Sequence, residues 1–372
     1  MSVVRFLLPA LIATQSVAVA AADLLQTPAL HNVRADHSVI TSLISQDQGY
    51  LMTGERGLLL HWQSDSNWQQ LDSPVSVGLT AATRLQDGSL IAVGQDAAIL
   101  RRDADGQGWR KVFDGYDLTR LQITALKQHQ QDLEQAIANA GEETDTDELK
   151  YQLEDTGFNL EDAVAELESG PSKPLLDIVS NEGRIIAVGA YGTLLYSDDN
   201  GKDWQLKSNL LDNPNRFHLN AVTRSANGSL IVVGESGTGF VSRDNGDSWT
   251  RLDLPYGGSL FGVTAQSNSS NLVAFGLQGN LIISRDNGQT WRHRHIDAGA
   301  SLLGGTVTDA GDVYLVGHGG LVVRFPVDNP DAVTLRKHPS GAALSAVQVE
   351  GTQLILTGQF GATAWDIDEN KD

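Results

Sequence analysis

Three carboxylates recur in one frame, S-x-D-x-G-x-x-W, at Ser197/Asp199/Gly201/Trp204, Ser242/Asp244/Gly246/Trp249 and Ser284/Asp286/Gly288/Trp291. An aspartate beside a hydroxyl could serve as a general acid or as a calcium ligand. The run DDNGKD around Asp199 lacks the alternating oxygen ligands and the distal Glu of a calcium loop. Glycoside hydrolysis needs two catalytic groups across the sugar, usually carboxylates, or a Tyr nucleophile helped by a carboxylate. Tyr191 and Glu235 are the one such pair that can be imagined here. His293 and His295 alternate along one segment with no third ligand in view, so no metal site is expected. Gly317-His318-Gly319-Gly320 lies between two apolar runs rather than at a strand-to-helix junction, so it is a hairpin turn and not a phosphate loop. A structural role suits all three copies better. A short carboxylate accepts N–H groups of its own turn, Gly takes a left-handed conformation, and Trp pins the next strand to its neighbour. No catalytic residue and no cofactor is predicted.

The elements that carry these turns repeat. An apolar run ending in Gly, two variable residues and a second apolar run appear as LMTGERGLLL, IAVGQDAAIL, IAVGAYGTLL, IVVGESGTGF, VAFGLQGNLI, YLVGHGGLVV and LILTGQFGAT. The leading glycines, Gly54, Gly94, Gly189, Gly234, Gly276, Gly317 and Gly358, are 40, 95, 45, 42, 41 and 41 residues apart. Seven units near this length, rich in β-branched residues and Gly, match four-stranded propeller blades. The spacing therefore predicts an all-β, seven-bladed β-propeller with one insertion between blades 2 and 3. The last unit lacks a clear fourth strand, and the segment TPALHNVR after the N-terminus is expected to supply it, closing the ring. The expected organisation is a signal peptide over 1–22, blades 1–2 over 23–116, an insertion over 117–170 and blades 3–7 over 171–372.

Composition narrows the partners. The chain has 372 residues, no Cys and a formal charge of −20. That acidity argues against nucleic acid and anionic lipid, both of which attract Lys/Arg patches. The N-terminus, with Arg5, an apolar run from Phe6 to Ala13 and small residues at Ala20–Ala22, reads as a secretory signal peptide. A soluble, monomeric, exported protein of the periplasm is expected, or of the thylakoid lumen if the source is a phototroph.

Asp-box turns combined with repeated aVGxxGxLL phrases resemble the photosystem II assembly and stability factor family and its exported relatives in non-photosynthetic bacteria. The resemblance covers roughly Val33 to Asp366, apart from the insertion. It implies a seven-bladed propeller without enzymatic activity that helps a membrane complex assemble. In bacteria without photosystems, relatives are often encoded beside RND-type transporters, which implies a partner of that kind. Photosystem members are associated with a basic patch; this acidic chain departs from that pattern.

Two features could bind such a partner. Turns between second and third strands share a face with blade-to-blade connections, and their varied tips include Glu55, Arg56, Tyr191, Glu235, His318 and Phe360. The insertion is the other: residues 117–170 hold 14 Asp/Glu against Arg120, Lys127 and Lys150. Thr119 and Gln122 read as a capping box before Leu126, Leu133 and Ile137. A second segment carries Leu149 and Leu153, and Asn159 is expected to cap a third with Leu160, Val164 and Leu167. The result would be an acidic helical hairpin acting as a docking arm. The competing expectation is carbohydrate binding or sialidase-like hydrolysis, since sialidases also carry Asp boxes. Sialidases, however, use three arginines and an Arg-Ile-Pro-like opening phrase; no such phrase stands near this N-terminus, and Arg56 is the lone turn-tip arginine.

Overall fold

The computed structural model describes residues 23–106, 108–141 and 145–366, so the expected signal peptide lies outside them. Seven antiparallel sheets follow one another along the chain, six of four strands and the last of three. Their inner strands begin at Ile40, Leu79, Leu175, Leu219, Leu260, Leu302 and Leu344 and abut one another in a closed ring. The chain forms a seven-bladed β-propeller.

Each blade's second strand is buried along most or all of its length, completely so in Leu90–Gly94 and Leu230–Gly234. Sheets on both sides cover it, which is why these strands read as unbroken apolar runs rather than as alternating ones. The glycine ending each has a steric cause. A Cβ on Gly234 would lie 2.0 Å from the His218 carbonyl oxygen, and one on Gly54 would lie 2.2 Å from that of Val39. That carbonyl precedes the same blade's inner strand and accepts the N–H of the residue after the glycine, Glu235 to His218 and Glu55 to Val39, both at 3.0 Å. The recurring Gly is thus a close-approach site that lets the second strand dock its turn onto the incoming chain.

Ring closure differs from the expectation. The last sheet, Leu344–Glu350, Gln353–Gly358 and Gly361–Asp366, gains no fourth strand from the N-terminal segment. Residues 23–34 instead run along blade 1, with Gln70 Nε2 donating to the Leu30 carbonyl at 3.0 Å and Ala29 N–H to Ser73 at 3.0 Å. The short 3-10 turn Ala35–His37 touches the blade 7 edge, where Ala364 N–H also donates to the Asp65 carboxylate at 3.2 Å. An edge covered by a loop and an acidic side chain resists strand addition without a pairing strand.

What closes the ring is a bridge repeated between blades. The second residue of an inner strand donates to the carbonyl of the first residue in the next blade's inner strand: Thr41 to Leu79 at 2.6 Å, Thr80 to Leu175 at 2.7 Å and Asn220 to Leu260 at 2.8 Å. Ser345 donates to Ile40 at 2.6 Å and so joins the last blade to the first. Blades 3, 5 and 6 have Leu176, Phe261 and Leu303 at that position; in blade 3 Asp177 joins blade 4 instead by accepting Val222 N–H at 2.9 Å, besides the N–H of its own neighbour Ile178 at 2.8 Å. Removal from water at the ring's centre pushes the Asp177 carboxyl up to about 6, against the pull of those two N–H groups.

The insertion is a two-helix hairpin, α1 (Gly115–Ala138) and α2 (Asp147–Ser169). Two sequence expectations are corrected. Asp114 caps α1 in a capping box with Asp117, so Thr119 and Gln122 lie inside the helix; Thr119 is buried and donates to the Gly115 carbonyl at 2.8 Å. Asn159 opens no third helix, because its amide bonds to Asp155 within a continuous α2. Leu118 is buried in the core between blades 2 and 3, with Leu121 packed against it, which roots the arm.

Candidate functional site

The Asp boxes occupy the turns between third and outer strands of blades 3, 4 and 5. Asp244 accepts the Ser242 hydroxyl at 2.7 Å, the Ser248 N–H at 3.0 Å and the Ser248 hydroxyl at 2.5 Å. Asp199 accepts the Ser197 hydroxyl at 2.8 Å and the N–H groups of Lys202 and Asp203, both at 3.0 Å. Asp286 is held in the same way by Ser284, Gln289 and Thr290. The Ser248 hydroxyl and N–H hold the Asp244 carboxyl below the usual carboxylate range. For Asp199 and Asp286 burial alone would raise it, but the turn's donors together outweigh burial and lower it. Such carboxylates are satisfied anions with no proton to give at neutral pH, which suits a turn staple and not a general acid.

Each box also clamps the preceding blade. Gly201, Gly246 and Gly288 are left-handed, φ +78°, +89° and +81°. A Cβ on Gly201 would lie 2.6 Å from Ile91 of blade 2, and one on Gly288 would lie 2.8 Å from Ile231 of blade 4. Trp204 packs against Phe113 of blade 2 with ring centroids 6.5 Å apart. Trp291 is buried in the core shared by blades 4 and 5, among Ile231, Val233, Leu272 and Ile282. Trp249 donates its indole N–H to the Tyr196 hydroxyl at 2.6 Å, and Tyr196 donates to the Gly246 carbonyl at 2.7 Å. The three Trp side chains thus reach the preceding blade by two different means. The buried indole N–H groups of Trp204 and Trp291 meet no acceptor among the described residues, so those two rings clamp by apolar packing, whereas Trp249 adds a hydrogen bond. Arg101 and Arg184 reach from the blade before to the carbonyls of Asn200 and Asn245 at 2.8 and 2.9 Å.

The opposite face carries the second-to-third-strand turns and the arm. Each of the first five turns puts a non-glycine residue in the left-handed region: Arg56, Asp96, Tyr191, Ser236 and Gln278, with φ between 52° and 55°. Of the residues expected to bind a partner, two prove to be tied down. Glu55 accepts Val39 N–H at 3.1 Å, and Glu235 accepts His218 N–H at 3.3 Å. Their carboxylates complete the same docking of turn onto linker that the glycines permit. Arg56, Tyr191 and His318 are exposed, Tyr191 at 56% and edge-on to His218 with centroids 5.1 Å apart. Phe360 is half-buried and stacks on His338 at 4.8 Å.

The tips stand one per blade around the rim, and those of the neighbouring blades 5 and 6, Gln278 and His318, line one shallow cleft. Tyr191 and Glu235 flank His218, but Glu235 spends its carboxylate on backbone, so no nucleophile and base are paired there. His293 stacks on Tyr256 at 5.3 Å and bonds Asn280 at 2.9 Å. Among the described residues no group of three or more His, Asp or Glu could hold a metal ion, and no helix is long and apolar enough to cross a membrane.

The BNR/Asp-box repeat matches residues 282–293, which contain the third Asp box from Ser284 through Gly288 to Trp291. The chain is a seven-bladed Asp-box propeller. Solved structures agree on its architecture. YCF48 from Cyanidioschyzon merolae superposes with a TM-score of 0.56 at 14% identity, covering 90% of this chain and 97% of that one. YCF48 bound to D1 peptide gives 0.55 at 13%, covering 92% and 98%. The WD40 β-propeller domain of Doa1 gives 0.59 at 8%, covering 92% and 95%. No curated protein matches the propeller in sequence.

The arm's seam matches the residues read from the sequence, with Leu126, Leu133 and Ile137 of α1 facing Leu149, Leu153, Leu160 and Leu167 of α2; Leu133 and Ala163 are buried between them. Val164 is the exception, at 46% exposure and off the seam. Arg216, in the connection between blades 3 and 4, donates to the Asn159 side chain, and Lys173 ties Gln122 to Glu166 across the hairpin's base. Sequence reasoning missed Tyr151 and Phe158, exposed on α2, although their seven-residue spacing was visible.

Proposed function

We propose that this propeller is a non-catalytic, exported scaffold that helps a membrane protein complex assemble, acting from the periplasmic side through its loop face and acidic arm. An RND-type transporter is the first partner to test. The observation that carries the reading is the state of the Asp-box carboxylates. Every one is consumed by its own turn, which leaves the boxes no acid–base pair, while unpaired charge and exposed aromatics gather on the other face and the arm. The fold likeness to YCF48 bound to D1 peptide supports a protein-binding role, because that propeller takes up a segment of another polypeptide.

The test is a crosslinked pull-down from native membranes. The full chain should recover an integral membrane protein. A variant with residues 125–163 replaced by a short Gly–Ser turn, which keeps Leu118 and Leu121 in the core, should remain folded and lose it. Recovery unchanged by trimming would remove the arm from the proposal, and turnover of a sialoside or other glycoside by the purified protein would overturn it.

A further inference from the structure

We infer that the outward face of α2 is a docking stripe for an arginine- and lysine-rich segment of a partner protein. The inference deepens the scaffold reading above and rests on it for its biological setting. Leu149, Leu153, Leu160 and Leu167 turn one side of α2 toward α1. Seven residues are nearly two helical turns, so Tyr151 and Phe158 align within about 20° of each other on the side away from that seam. They are 68% and 60% exposed, two of the three exposed aromatic side chains among the described residues. Aromatic surface left in water on a helix whose other side is already packed has no role in the hairpin's own stability; it is what a partner would cover.

The residues around the pair select the partner's charge. Asp147, Glu148, Glu154, Asp155, Glu161 and Asp162 share or border the stripe and are exposed. Lys150 pairs with Asp147 at 3.2 Å, and Glu148 and Asp155 accept side-chain amides, from Gln152 and Asn159. Glu154, Glu161 and Asp162 meet no cation among the described residues. A guanidinium can stack on an aromatic face while its N–H groups bond a flanking carboxylate, so two arginines about 10 Å apart would fit the Tyr151–Phe158 spacing. Anionic lipid headgroups would be repelled by the same carboxylates.

The test uses the full chain in fluorescence anisotropy with a short labelled Arg-rich peptide, its Glu-substituted counterpart and phosphatidylglycerol vesicles. Expected is micromolar binding of the Arg-rich peptide alone, weakened about tenfold by Y151A/F158A with unchanged circular dichroism and melting. E154Q/E161Q/D162N should weaken it too and flatten its salt dependence. Equal binding by wild type and Y151A/F158A would mean diffuse charge attraction and overturn the inference, as would vesicle binding or no binding. Self-association in sedimentation that Y151A/F158A abolishes would assign the stripe to a second copy and also overturn it. The two readings separate cleanly: peptide binding without membrane pull-down leaves the stripe and removes the scaffold role, whereas pull-down indifferent to Y151A/F158A does the reverse.

Discussion

On one face of the ring Asp199, Asp244 and Asp286 each take three or more donors from within their own turns; on the other, Glu55 and Glu235 each accept one N–H from a linker, and α2 holds carboxylates that meet no cation among the described residues. The difference follows from what each face must hold. The Asp-box turns join outer strands as short as two residues, Gln205–Leu206 and Thr250–Arg251. So little ladder cannot fix a strand, and side-chain hydrogen bonds with a buried Trp supply the rest. Second-to-third-strand turns sit between longer, buried strands and are fixed mainly by backbone, with Glu55 and Glu235 adding one side-chain bond each. Their tips are therefore free to vary.

The sharpest way to break this comparison is a methyl group on the backbone-fixed face. Gly234→Ala should cost roughly 3 kcal/mol or leave the protein insoluble, because the added Cβ meets the His218 carbonyl at 2.0 Å. Tyr191→Gly, one blade away, should change the denaturation midpoint very little or raise it slightly, since φ 55° is easier for glycine. Equal losses at the two positions would refute backbone control of this face. On the Asp-box face, Asp244→Ala should cost about 2 kcal/mol, because it strips three donors at once. Denaturant melts that match wild type would show the box to be dispensable.

Smaller effects appear in pH. Asp177 is raised in the folded state to about 6 from 3.8, so its contribution is fully present below pH 3.8 and is lost as pH rises through 6. The Asp-box carboxyls are lowered, so theirs is present at neutral pH and lost in acid. Melting of Asp177→Asn against wild type should accordingly favour wild type more at pH 4 than at pH 7. An advantage growing with pH would reverse the assignment. Smallest of all, Arg56→Ala should leave stability within about 0.5 kcal/mol of wild type in thermal melts, as expected of an exposed tip.

How much of this could be read in advance depends on the range of each interaction. The Asp boxes were legible because their bonds span at most four residues, from Ser242 to Gly246 or Asp244 to Ser248. What each box Trp touches was not, since Trp204 meets Phe113 of the preceding blade and Trp291 lies in a core shared with Ile231 and Val233 of the preceding blade. The helical seam was legible from leucine spacing, but its caps were not, since Asp114 lies just before the charged run that seemed to begin the insertion. Glu55 and Glu235 looked like free loop tips because the N–H groups they accept, on Val39 and His218, are 16 and 17 residues earlier.

By itself the sequence determined the seven blades, because the glycine that marks each one is demanded by a contact inside that blade. It also determined the architectural role of the repeated carboxylates, whose partners are their own neighbours. Only the tertiary structure decided how the ring shuts, through Ser345 and Ile40, 305 residues apart, and that Asp177 replaces a missing bridge. It alone decided, too, that α2 runs unbroken through Asn159 alongside α1. These outcomes rest on groups brought together by the closed ring and the paired helices, and no local spacing encodes them.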